Sequence, residues 1–93
     1  MVWYNNYESK GYKVGNRYLG IQTTDGGYDY TIYNELYLPE DGGVVETDRP
    51  IEDVAKEIMK ENGFALSLEI KEISNDFLEE SAQLQAAAMM GAL

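Results

Sequence analysis

Neither cysteine nor histidine occurs among the 93 residues. Without cysteine there is no disulfide, no thiolate nucleophile and no thiolate zinc site. Without histidine the commonest general base and the commonest metal ligand are missing. Cations are scarce as well: 7 Lys and Arg stand against 17 Asp and Glu, a net charge of −10. A generic grip on nucleic-acid phosphates needs clustered cations, and so does an anionic membrane surface. Neither direct nucleic acid nor membrane is therefore an expected partner. No stretch approaches the roughly 18–20 apolar residues of a membrane span, and the most apolar run, Ala86–Leu93, is far shorter. The opening Met1-Val2-Trp3-Tyr4-Asn5-Asn6 lacks the cationic and apolar regions of a signal peptide. A small chain without disulfides fits a reducing cytoplasm, which is the expected localisation.

What is present divides by position. All 8 tyrosines fall in the first 37 residues, whereas the stretch from Ile51 is rich in Ala, Leu, Ile, Met, Glu and Lys. Strand formers come first and helix formers later, which reads as α+β rather than a regular βαβ array. At roughly 100–200 residues per domain, residues 1–93 make a single domain.

The strand signals are period-two alternations. Tyr18–Thr24 puts Leu19 and Ile21 on one face, and Asp25-Gly26-Gly27 supplies a hairpin turn. Tyr28–Leu38 resumes the alternation, with Tyr28, Tyr30 and Ile32 on one face, Tyr33 and Tyr37 on the other, and a bulge or turn near Asn34-Glu35. Pro39-Glu40-Asp41-Gly42-Gly43 has turn composition, leaving Val44-Val45-Glu46 as a short strand. Phe64–Ile73 alternates most cleanly of all. Lys10–Arg17, with Gly11 and Gly15, reads as a turn or an irregular edge strand, and a solvated loop is the favoured form.

Two helices follow from spacing. Ile51, Val54, Ala55, Ile58 and Met59 recur as one amphipathic stripe, started at Arg49-Pro50 and stopped at Asn62-Gly63. The second runs from about Ser74 or Asp76 to near Met90, with Asp76 and Glu79 at capping-box spacing. Its stripe is Leu78, Ala82, Ala86, Met89 and Leu93, so 76–93 is a candidate element for docking on a second copy or another protein. The alternative is packing on its own sheet. The expected architecture is thus α+β: a three- to four-stranded, mostly antiparallel sheet with one amphipathic helix on a face and a C-terminal helix, in the order β-β-β-α-β-α.

Chemistry-bearing patterns are thin. Asp25-Gly26-Gly27-Tyr28-Asp29 places Gly27, Tyr30 and Leu36 where a calcium loop needs an oxygen ligand, Gly and Glu. Glu40 and Asp41 are merely adjacent. No phosphate-cradling glycine motif occurs. Neither cofactor nor metal is expected, and no catalytic residue is assigned, because a carboxylate pair needs a cleft and a fixed separation. Tyr18, Tyr33 and Tyr37 share a sheet face, as cross-strand pairs, under a lid formed by the last helix, as interface anchors, or as a surface that stacks bases or sugars, which the net charge of −10 opposes.

The run Gly27-Tyr28-Asp29-Tyr30-Thr31-Ile32-Tyr33, then Asp41-Gly42-Gly43, then Ile51 through Asn62-Gly63 resembles small accessory domains of the large polyvalent protein-associated type. Such domains are encoded on conjugative and phage-like elements of gut Firmicutes. The resemblance spans roughly residues 18–64. It implies a bacterial mobile-element setting and carries over no site residues. The function expected on these grounds is a noncatalytic protein–protein interaction module, self-associating or binding another protein through Tyr18, Tyr33, Tyr37, Leu78, Ala82, Ala86, Met89 and Leu93. The alternatives are an acidic nucleic-acid mimic that inhibits a host DNA- or RNA-binding protein and, last, a carboxylate-dependent hydrolase.

Overall fold

The computed structural model describes residues 7–91. The opening hexapeptide and Leu93 lie outside them. Four strands, β1 (Ser9–Val14), β2 (Arg17–Thr24), β3 (Gly27–Tyr33) and β4 (Pro39–Glu46), precede helix α1 (Ile51–Glu61). Strand β5 (Ile70–Ile73) and helix α2 (Asn75–Met89) follow. The strands form one antiparallel sheet in the order β4-β3-β2-β1-β5. The α+β class is as expected, and the sheet has five strands rather than three or four.

Because side chains alternate across a strand, the sheet carries two separate cores. On one face Leu19, Ile21, Ile32, Tyr12 and Val14 meet Ile51, Val54, Ala55, Ile58 and Met59 of α1, with Phe64 closing the end. Leu19, Ile21, Ile32 and Met59 are fully sequestered, and each such side chain is worth about 1.5–3 kcal/mol. On the other face Tyr18, Tyr33 and Leu78 form a smaller cluster beneath α2. The helices therefore lie on opposite faces.

Helix α1 matches its sequence signals. Glu52 and Asp53 occupy its first turn and Lys60 its last, each favoured by the helix dipole. Gly63 takes the left-handed conformation (φ 77°) that ends the helix. Arg17 then lies 4.4 Å over the Phe64 ring and donates to the Asn62 carbonyl at 2.7 Å, locking the helix exit to β2.

Four local expectations are corrected. Lys10–Val14 is not a loop but an inner strand, paired on one side with β2 and on the other with β5. Its Gly11 faces Gly20 across the ladder, and a Cβ on Gly11 would crowd the Ile73 carbonyl and the Leu78 side chain. The glycine serves close packing, not a turn. Pro39–Gly43 is likewise strand, not turn. Gly42 lies so close to the Tyr30 carbonyl that a side chain there would collide, and one at Gly43 would press on the Tyr30 ring; the chain reverses instead at Asn34–Leu38. Phe64–Ile73 forms strand only from Ile70, because Leu66 N donates to Phe64 O and Leu68 N to Ala65 O, closing local turns. The cap of α2 is Ser74, whose hydroxyl accepts from Phe77 N at 3.3 Å, rather than the Asp76–Glu79 pair.

The paired glycines create a notch in the sheet, and α2 starts in it. Asn75 is 5% exposed, donates to Ser9 Oγ at 2.9 Å, and its carboxamide oxygen occupies the space a Gly20 side chain would need. Gly20→Ala should therefore cost about 1–3 kcal/mol by overpacking. In an Asn75→Ala background the same change should cost clearly less, as measured by a denaturant double-mutant cycle. Equal costs in both backgrounds would show that the notch does not hold Asn75.

Candidate interaction surface

Tyr18 and Tyr33 are register partners on β2 and β3, and Leu78 of α2 closes over them. The three are 7%, 4% and 0% exposed. Tyr37, Ile73 and Ala82 pack at the margin of this cluster, partly buried. Of the eight residues expected to form an interface, Tyr18, Tyr33 and Leu78 thus sit inside the chain's own α2–sheet contact, with Tyr37 and Ala82 at its rim. Ala86 and Met89 are exposed on the later turns of α2, and Leu93 falls outside the described residues.

Tyr37 is the one non-glycine residue with positive φ (63°) among the described residues. It closes the β3–β4 turn: its amide donates to the Asn34 carbonyl at 2.9 Å, while the Asn34 side chain accepts from Leu36 N at 2.8 Å and Leu38 N at 3.1 Å. A left-handed tyrosine costs about 1–3 kcal/mol. Its ring stacks on Tyr18 (centroids 4.7 Å, 22°) and meets Phe77 edge-on (5.7 Å, 88°). Such pairs contribute about 0.5–1.5 kcal/mol each, enough to offset the strain. Tyr37 therefore straps the turn to the first turn of α2. Tyr18 Oη also donates to Tyr37 Oη at 3.3 Å. That bond, with burial second, holds the Tyr18 phenol protonated until a pKa pushed up to about 12.

The remaining apolar surface of α2 faces outward. Phe77, Leu84, Met89 and Met90 are 49%, 64%, 68% and 82% exposed, and Leu36 at the adjoining turn is 52% exposed. Phe77, Ser81, Leu84 and Ala88 fall at i, i+4, i+7 and i+11, a second stripe beside the buried one. The apolar arc of α2 is wider than the sheet that covers it. Met89 continues the buried stripe past the last sheet contact. Asp76, Glu79 and Glu80 flank this surface, and α2 has no basic residue. The spacing that selects Leu78, Ala82, Ala86 and Met89 passes over Phe77 and Leu84. Their seven-residue separation was the available signal for them.

Elsewhere the chemistry is sparse. A cleft of about 650 Å³ lies between the β2–β3 turn and the chain leading into α1, lined by Glu8, Thr23, Tyr28, Glu46, Asp48 and Arg49. Its Tyr28 hydroxyl is already committed, donating to the Arg49 carbonyl at 2.6 Å. Among the described residues no three carboxylates gather as a metal site, and no helix is long and apolar enough to cross a membrane.

A five-stranded antiparallel sheet with one helix on each face defines a small α+β domain. The comparison with protein families makes the assignment specific: the model for large polyvalent protein-associated domain 16 matches residues 5–85, and the chain belongs to that family. The match extends beyond the 18–64 stretch that first suggested the resemblance. No curated protein and no solved structure matches the chain.

The tyrosine cluster predicts an alkaline transition. A folded-state pKa raised above the ordinary 10.0 contributes stability that is complete below pH 10 and is lost as pH rises toward 12. Burial also raises Tyr12, Tyr28 and Tyr33, so several phenols act in the same sense. Tyr18→Phe should therefore fall in stability less steeply than the wild type above pH 10, by up to one proton's worth of slope, in urea titrations at stepped pH. Identical slopes would remove Tyr18 from the transition.

Proposed function

We propose that this chain is a noncatalytic protein-interaction module of a bacterial mobile-element protein, and that the outward and C-terminal surface of α2 carries the contact. The observation behind this reading is the exposure of Leu84 and Met89 on α2 and of Met90 at its C-cap. Scattered apolar residues are ordinary on a surface, but a cluster on a helix end that outruns its sheet is the pattern of a docking element. The adjoining Tyr37 turn supplies an aromatic edge, a residue type enriched where interfaces are strong. The net charge of −10 supports a protein rather than a nucleic-acid phosphate backbone as partner.

A second copy of the chain is the occupant to test first. Ala86 and Ala88 are exposed and let two helix backbones approach closely, while the patch is small against the roughly 1,600 Å² of a standard interface. A weak, concentration-dependent dimer is the expected form. Ala86→Glu combined with Met89→Glu should leave far-UV circular dichroism and unfolding midpoint nearly unchanged, because both sites are exposed. In light scattering at high micromolar concentration the apparent mass should fall from dimer toward the 10.5 kDa monomer. A wild type that is monomeric throughout would remove the second copy as occupant. A double variant that unfolds would place the stripe in the chain's own core instead.

A further inference from the structure

We propose that the outer edge of β4 accepts an extended, lysine- or arginine-bearing segment of another protein as a sixth strand. This surface belongs to β4 alone and is independent of the reading of α2.

Strand β4 is a terminal strand of the sheet, eight residues long, whereas β5 at the opposite edge has four. Seven of its eight residues are exposed. The direction of its amides can be read from two bonds. Thr47 N, just past the strand, donates inward to Gly26 O at 3.2 Å. Gly42 N instead donates to the Asp41 carboxylate at 2.8 Å, so it faces away from β3. Alternation along an antiparallel ladder then turns the amides and carbonyls of Val44 and Glu46 outward too, where no described residue pairs with them.

Long edges are usually blunted by proline, charge or covering segments. Here Pro39 stands only at the first position, and the Asp41 carboxylate caps only one amide. The last three residues of the strand, from Val44 onward, are uncapped, and the Val44 side chain is 67% exposed. Backbone pairing at such an edge supplies affinity, and alternate side chains supply selectivity.

Charge fixes the chemistry of the occupant. The strand carries Glu40, Asp41 and Glu46 and no cation. Among the described residues only Glu40 of these has a counter-charge, the Arg17 guanidinium at 3.6 Å. An antiparallel pairing of β4 with its own copy would gather two sets of these carboxylates in one ribbon, and like charges close together across strands are destabilising. A foreign strand with Lys or Arg at alternate positions meets the same edge with complementary charge, which also speeds encounter with a chain of net charge −10.

The test uses the full chain and three blocked nonapeptides: one alternating lysine with threonine, one alternating glutamate with threonine, and the lysine peptide N-methylated at every second residue. The lysine peptide should bind saturably by calorimetry, shift and slow the exchange of the Val44 and Glu46 amides in nuclear magnetic resonance spectra, and leave α2 unaffected. The glutamate and N-methylated peptides should each bind at least about tenfold more weakly. Val44→Pro removes an outward amide without breaking the inner ladder and should weaken the lysine peptide similarly. If that variant proves unstable, the N-methylated peptide still decides the matter. Absence of saturable binding, equal binding of the methylated peptide, or shifts centred away from β4 would overturn the proposal.

Discussion

Two glycines facing each other across β1 and β2 determine where α2 can lie. With no side chains at Gly11 and Gly20 the sheet has a notch, and Asn75 and Leu78 enter it. The helix then starts at a fixed point over the sheet and carries Leu78 onto Tyr18 and Tyr33. Without that seat, the face opposite α1 would expose two adjacent tyrosines and Ile73. The strain at Tyr37 follows from the same seat, because its ring is held between Tyr18 and Phe77. A glycine pair that looks like a turn signal is thus what permits the second core of a chain this small to form.

The division of labour between the two faces explains the exposure of α2. Helix α1 has five buried residues in 11 and lies wholly on its core. Helix α2 has two buried residues in 15, both in its first turn. Burial therefore anchors one end and leaves the other to its own backbone hydrogen bonds, and isolated helices of such length are marginal in water. A partner across Leu84 and Met89 would supply the burial that the sheet does not. The chain's family, large polyvalent protein-associated domain 16, is matched up to residue 85, so the anchored part of α2 lies within the shared pattern.

Much of this was legible in the residues, for identifiable reasons. Helix α1 announces itself through five apolar positions on one face, a proline start and a glycine stop, and each signal is local. The β2–β3 hairpin is equally local, with Asp25-Gly26 between two alternating runs. What the sequence hid depends on partners distant in the chain. Gly11, Gly42 and Gly43 look like turn residues until the Leu78 side chain and the Tyr30 ring are placed beside them. Phe64–Leu68 alternates as a strand should, but of this segment only Ile70–Ile73 pairs with β1, so the earlier alternation has no ladder to join. The interface set divided for the same reason: spacing along α2 identifies an apolar stripe without telling how far the sheet beneath it extends.

Helix α2 is held by its own sheet only over its first half. Amide hydrogen exchange along the helix, followed from dilute to concentrated protein, tests it most directly. Residues near Leu78 and Ala82 should show sheet-like protection at every concentration, with residues 84–90 exchanging quickly when dilute and slowing as the protein is concentrated or a partner is added. Protection that is uniform from Asn75 to Met89 in dilute solution, and unchanged on concentration, would contradict it.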